Sequence, residues 1–237
     1  MIPEVLNELT PNIPYWETSP SVSSNSLKDI GSGDIHFWRV WAAGSSIEEY
    51  EDYTGRFNSE YGMQSMPNIE SIEKFTSPQD RQVGSFILRL HERHPMGDQY
   101  LPMYTNSYAG NSSNLMRFAY FSQVMQAYAL ETALRSLRGN KPISMGSLYW
   151  QMNDVWPVSS WATIDYYNSY KAAHYRIRHL HDLIMIHAMY DKVRRNYNIY
   201  IVNDKPSTEF TFSIIEVLDF NGTVLMHRKV EQTVVGF

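Results

Sequence analysis

Arg56-Phe57-Asn58-Ser59-Glu60-Tyr61-Gly62 decides how the rest of the chain is read. The run is short and bounded by Gly55 and Gly62, the pattern of a buried strand, and it brings a carboxylate to the strand's end. Further along, Leu115, Phe118, Ala119, Val124, Tyr128, Leu130, Leu134 and Leu137 recur at helical rather than alternating spacing. Gly139-Asn140-Lys141-Pro142 closes that helix. Ile143-Ser144-Met145-Gly146-Ser147-Leu148-Tyr149-Trp150 follows directly as a second strand candidate, which gives a strand–helix–strand arrangement.

Upstream, residues 2 to 9 read as the end of a helix stopped by Thr10-Pro11. Ile13-Pro14-Tyr15-Trp16 suits the start of a short strand, and the Ser- and Gly-rich stretch from Ser19 to Gly33 suits a long loop. Downstream, a helix is expected from about Ser169 to His181. After it the texture changes to short β-rich runs: Ile184 to Met189, Tyr197 to Val202, Glu209 to Leu218 and Val224 to Val230. Asn221-Gly222 between the last two is a hairpin signal. A boundary near residue 182 is expected, with helix/strand alternation over 1–181 and the start of an antiparallel β domain over 182–237.

Composition narrows the function classes. The chain has 237 residues, 43% hydrophobic and 19% charged, which is globular. A net charge of −5 and no basic patch argue against nucleic-acid or anionic-membrane partners. There is no Cys, hence no disulfide and no thiolate chemistry. No apolar run is long enough to span a bilayer, and Met1 to Glu8 has no signal-peptide pattern. The triplets Asn111-Ser112-Ser113 and Asn221-Gly222-Thr223 are glycosylation acceptors in form and say little about compartment.

Aromatics are abundant, with 17 Tyr and 6 Trp. Filling a core accounts for most single rings. Leu148-Tyr149-Trp150-Gln151-Met152-Asn153-Asp154-Val155-Trp156-Pro157, running on to Ser160-Trp161, is different. Three Trp mixed with Gln, Asn and Asp suit a wet concave site that stacks sugar rings and hydrogen-bonds hydroxyls. At the strand ends of a (β/α)8 barrel, both this stretch and the Glu60 run would line the active-site face.

These residues resemble a known family. Gly33-Asp34-Ile35-His36-Phe37-Trp38-Arg39-Val40-Trp41, then Arg56 to Pro67, then Gly146 to Pro157 are similar to three runs of the β-mannosidases of glycoside hydrolase family 2. Pro14-Tyr15-Trp16 leading into Ser19-Pro20-Ser21 resembles a fourth, and the order and spacing agree from about residue 1 to 181. The resemblance implies an α/β fold: a (β/α)8 TIM barrel, here about its sixth to eighth strands over 1–181, followed over 182–237 by the start of an antiparallel, immunoglobulin-like β-sandwich. It implies a retaining exo-glycosidase that releases terminal β-D-mannose from oligosaccharides or glycoproteins. Glu60 would be the nucleophile. Trp150 would floor the terminal-sugar subsite, Trp38 and Trp41 would wall the pocket, and Asp154 would orient the Trp150 loop or bond a sugar hydroxyl. The family is lysosomal or secreted, and no cofactor or metal is implied.

A retaining mechanism needs two carboxyl groups about 5–5.5 Å apart. The acid should follow an Asn at a strand end, yet Asn7-Glu8 falls within the first helix and reads as a solvated face. The expectation is a chain that starts partway through the barrel, lacks the general acid, and depends on the missing N-terminal part of the barrel or aggregates without it. An inactive fragment or carbohydrate-binding remnant stays open, as does another exo-glycosidase of the family such as an exo-β-glucosaminidase. His36 and His174 read as structural, Arg56 as a partner of the Glu60 neighbourhood or a barrel-interior residue, and His91-Glu92-Arg93-His94 lacks the spacing of a zinc-protease helix.

Overall fold

The computed structural model describes residues 1–21, 32–53 and 55–236. Two compact units divide it, Met1–His179 and Leu180–Phe237.

The first unit runs α1 (Ile2–Leu9), β1 (Ile35–His36), α2 (Arg39–Ala42), α3 (Glu49–Asp52), β2 (Phe57–Glu60), α4 (Ile69–Phe75), α5 (Phe86–Leu90), α6 (Gly97–Tyr108), α7 (Leu115–Gly139), β3 (Gly146–Ser147) and α8 (Ala172–Leu180), whose last residue falls in the second unit. The three strands form a parallel sheet in the order β1-β2-β3. Ile35 pairs Asn58, His36 pairs Glu60, and Phe57 and Asn58 pair Gly146 and Ser147. Backbone bonds carry the ladder past the strand ends: Phe37 N–H donates to Glu60 O (2.7 Å), Leu148 N–H to Asn58 O (2.8 Å) and Trp150 N–H to Tyr61 O (2.7 Å). The carboxyl ends of all three strands therefore lie along one edge.

Helix α7 links β2 to β3, and its sequence explains its length. Asn114 caps it by accepting from Arg117 N–H (3.0 Å). Leu115, Phe118, Met125, Leu130, Leu134 and Leu137 make a buried stripe, each contributing about 1.5–3 kcal/mol of apolar burial. Val124 and Tyr128 share the helical spacing but face outward. Ser122, Gln123 and Gln126 interrupt the stripe and are also buried, because they bond the chain beyond β2.

The expected helices at 2–9, 115–137 and 169–181 are present as α1, α7 and α8. Several expectations need correcting. Ile13 to Trp16 forms no strand. The strand expected over Ile143–Trp150 shrinks to Gly146–Ser147. Strand β2 is only partly buried, since Phe57 is exposed and only Asn58 is fully covered. Most of the Ser19–Gly33 loop lies outside the described residues.

The second unit is two antiparallel hairpins, β4 (Ile184–Asp191) with β5 (Asn196–Asn203) and β6 (Glu209–Leu218) with β7 (Val224–Val234). Asn221-Gly222 does sit in the β6–β7 turn, with Gly222 at φ +87°, where a side chain would be strained. Asp219 holds that turn by accepting from the N–H groups of Asn221 and Thr223.

Candidate active site

Glu60 ends β2 beside His36, which ends β1. Trp38 follows at the start of α2 and donates its Nε1–H to Glu60 Oε2 at 3.0 Å. His36 Nδ1 lies 3.3 Å from the same oxygen. The Glu60 side chain is 26% exposed, so it is fixed by donors yet open to a ligand. His36 Nε2 stands 3.0 Å from Ser19 Oγ, which donates to Asp34 Oδ2 (2.6 Å). Asp34 also accepts from the N–H and hydroxyl of Ser21 and from the Ser59 hydroxyl. Burial opposes its charge, but these hydrogen bonds prevail and hold its carboxyl well below the usual carboxylate range.

Trp150 meets this edge through the backbone. Its N–H bonds Tyr61 O, and its own carbonyl crowds Gly62 so closely that an added Cβ would lie 2.2 Å from it. Trp150 is 41% exposed. Trp161 lies edge-on to Trp38, with ring centroids 5.8 Å apart, and would meet a Gly62 Cβ at 3.2 Å. Trp161 therefore packs beside the Glu60 end of β2. It completed the Trp-rich stretch in the sequence but carried no role of its own there.

Two residues named with the site, Trp41 and Asp154, turn inward. Trp41 is fully buried, stacked on Tyr104 and edge-on to Trp161, Tyr100 and His94. It supports Trp161 from beneath and presents no surface to a pocket. Asp154 is also buried, accepting from Ser160 Oγ (2.8 Å) and Gln151 Nε2 (3.3 Å). It orients the Trp150 segment and is closed to a sugar hydroxyl. Arg56 is exposed at the opposite end of β2 from Glu60, which removes it from the site. His174 bonds Thr163 and stacks on Tyr170, as a structural histidine does. His36 was read as structural but stands against Glu60.

Beneath the Trp150 segment lies a buried charge cluster that sequence reading did not single out. Lys171 is fully buried and donates Nζ–H to Ser65 O (3.1 Å) and Ser160 O (3.3 Å). Those two residues also bond each other through their backbones, so Lys171 clamps the extension of β2 to the 148–161 segment. Gln126 of α7 adds to the clamp, donating to Met63 O and Trp161 O. Burial pushes the Lys171 ammonium down to about 8, against the opposing pull of Asp154, Asp165 and Glu92. Burial likewise raises Asp154, and pushes Glu92 up to about 7.

No family model matches the chain. Over 227 residues it is 29% identical to β-mannosidase B of Aspergillus niger, covering 88% of this chain and 27% of that protein. It is 31% identical over 182 residues to β-mannosidase B of Neosartorya fischeri, covering 75% and 22%. The chain thus spans about a quarter of the length of these curated relatives. The solved β-D-mannosidase of Dictyoglomus thermophilum matches 99% of this chain and 29% of its own, with a TM-score of 0.85 and 29% identity. An exo-chitosanase of Amycolatopsis orientalis matches 81% and 24%, with a TM-score of 0.69 and 16% identity, a likeness of fold alone.

Proposed function

We propose, for a chain that resembles in sequence and fold the C-terminal part of a β-mannosidase of glycoside hydrolase family 2, that its first unit carries the nucleophile half of a retaining exo-β-mannosidase site. The observation that carries this reading is the convergence of Trp38 Nε1 and His36 Nδ1 on one oxygen of Glu60, at the carboxyl end of a parallel strand. The Trp38 N–H fixes the direction of the carboxylate, as attack on an anomeric carbon requires. The parallel order β1-β2-β3, with Glu60 and Trp150 just past neighbouring strands, supports an assignment to the sixth, seventh and eighth strands of a (β/α)8 barrel. Residues 182–237 would begin the following β-sandwich.

In this reading Glu60 attacks the anomeric carbon, the leaving oxygen departs with a proton from a general acid, and water then hydrolyses the glycosyl ester. Trp150 stacks under the terminal mannose, and Trp38 and Trp161 close one side. The acid is assigned to none of these residues. Glu8, the glutamate that follows an Asn, lies on the exposed face of α1. The acid is proposed to come from a part of the barrel that this sequence does not contain.

A 2-deoxy-2-fluoro-β-mannosyl fluoride tests the assignment without the acid, because fluoride leaves unaided. The chain, alone and extended upstream in its gene, should gain one fluoromannosyl group on the peptide containing Glu60, and Glu60→Gln should gain none. In the extended form Glu60→Ala should lower aryl β-mannosidase turnover by about 10³-fold or more. Normal turnover by that variant, or label on another carboxylate, would overturn the reading.

A further inference from the structure

Lys171 is fully buried, yet a run of hydrogen bonds leads from it to the neighbour of Trp150. Its ammonium donates to Ser160 O at 3.3 Å. Ser160 donates its hydroxyl to Asp154 Oδ2 at 2.8 Å. Asp154 Oδ1 accepts from Gln151 Nε2 at 3.3 Å, and Gln151 follows Trp150 directly. Asp154 thus ties residue 151 to residue 160 and closes the loop between them. The same ammonium donates to Ser65 O at 3.1 Å, on the chain that leaves Glu60. One charge therefore bonds the segment beyond the carboxylate and the segment beyond the ring.

The run depends on charge. Both Asp154 oxygens accept, and a protonated carboxyl would turn one of them into a donor. Burial works against the ionised form and raises the Asp154 carboxyl, and the Lys171 ammonium is the strongest influence opposing that rise. The charged groups facing Lys171 are Asp154, Asp165 and Glu92, while Arg93 faces Asp154.

We infer that Lys171 is a positioning residue for Trp150: through Ser160, Asp154 and Gln151 its ammonium sets where the Trp150 ring stands relative to Glu60. The placement of the ring follows from the hydrogen bonds. Its use as the floor under a terminal sugar rests on the proposed mannosidase reading.

Fluorine NMR of the full chain labelled with 5-fluorotryptophan tests the placement, with the Trp150 signal identified by Trp150→Phe. Lys171→Met removes the ammonium, and Asp154→Asn leaves one accepting oxygen where two are needed. Both should displace the Trp150 signal. Neither should displace it in a Gln151→Met background, where the last bond of the run is already cut. Where Lys171→Met does not fold, titration replaces it. The Trp150 signal should move as pH rises through about 8, where the ammonium discharges, in Glu92→Gln as in the unaltered chain, and should stay still in Gln151→Met. A Trp150 signal indifferent to Asp154→Asn and to that titration, or displaced equally with and without Gln151, would overturn the inference. In whichever form of the chain turns over an aryl β-mannoside, Asp154→Asn should raise KM about tenfold and keep kcat within about twofold, the mark of lost ground-state binding. A displaced signal with KM unchanged would leave the placement standing and remove Trp150 as the sugar floor.

Discussion

Two clusters in the first unit are built from the same materials, carboxylates, hydroxyls and one nitrogen base, and they do different work. The Asp34–Ser19–His36–Glu60 cluster sits at the strand ends, partly exposed, with hydroxyl donors gathered on Asp34 and His36 lying between Ser19 and Glu60. In the second cluster Lys171, Asp154 and Asp165 are buried and Glu92 is half-buried, and the ammonium is spent on the carbonyls of Ser65 and Ser160. The open cluster leaves polar groups at the strand ends, and the closed one clamps two segments beneath them. Perturbed ionisation does not tell the clusters apart, since Asp34 in the open one is shifted as clearly as Lys171 and Glu92 in the closed one.

The largest expected effect falls on the closed cluster. Lys171→Met removes a buried cation that faces those carboxylates and two hydrogen bonds to buried carbonyls. Breaking a buried ionic group from one side costs about 3–5 kcal/mol. Urea unfolding of the full chain should show a loss of that size. A loss below about 1 kcal/mol would mean that the clamp is an incidental contact.

Glu92 separates the clusters by pH. Its carboxyl is near 7 in the folded chain, chiefly through burial, and near 4.5 when unfolded. Between those values the folded state keeps a proton that the unfolded state has released. Its contribution to stability is therefore complete below about 4.5 and is lost as pH rises through about 7. The stability difference between the unaltered chain and Glu92→Gln should fall across that window by about 2 kcal/mol, allowing for the partly open position of the side chain. Asp34 has the opposite sign. Its carboxyl is held low, so its contribution is present above the unfolded value and is lost only in acid. Asp34→Asn should show no slope between 4.5 and 7, and a slope there would erase the distinction between the clusters.

Legibility in the sequence followed the same division. Strand β2 and helix α7 could be read because Gly55, Gly62, the Leu periodicity and Gly139 are local signals. Helices α2 to α6 went unread. Four of them have seven residues or fewer and carry no period long enough to see, and α6 holds Pro102 in its interior. Resemblance named Glu60, Trp38, Trp41 and Asp154 together but could not say which way each faces, because an aromatic or acidic residue in a motif does not announce its direction: Glu60 and Trp38 meet at the strand ends, and Trp41 and Asp154 turn inward. Lys171 left no trace, since a single lysine beside Tyr170 looks solvated until Ser65, 106 positions earlier, is folded onto it.

The smallest predicted effects make the sharpest comparison, because the same chemical change is made in both clusters. Ser160 Oγ donates to Asp154 Oδ2 at 2.8 Å and accepts from Ala162 N–H at 3.0 Å, all within the interior. Ser160→Ala strands a buried acceptor and a buried donor, and should cost about 1–3 kcal/mol. Ser19 Oγ donates to Asp34 Oδ2 at 2.6 Å, but it is exposed, and Asp34 keeps its Ser21 and Ser59 donors without it. Water can replace that hydroxyl, so Ser19→Ala should cost about 0.5 kcal/mol or less. Urea titrations of the two variants side by side measure the gap. Equal costs would mean that the open cluster also holds the fold together. In that case the Ser19–Asp34 pair would belong to the scaffold, as the Ser160–Asp154 pair does.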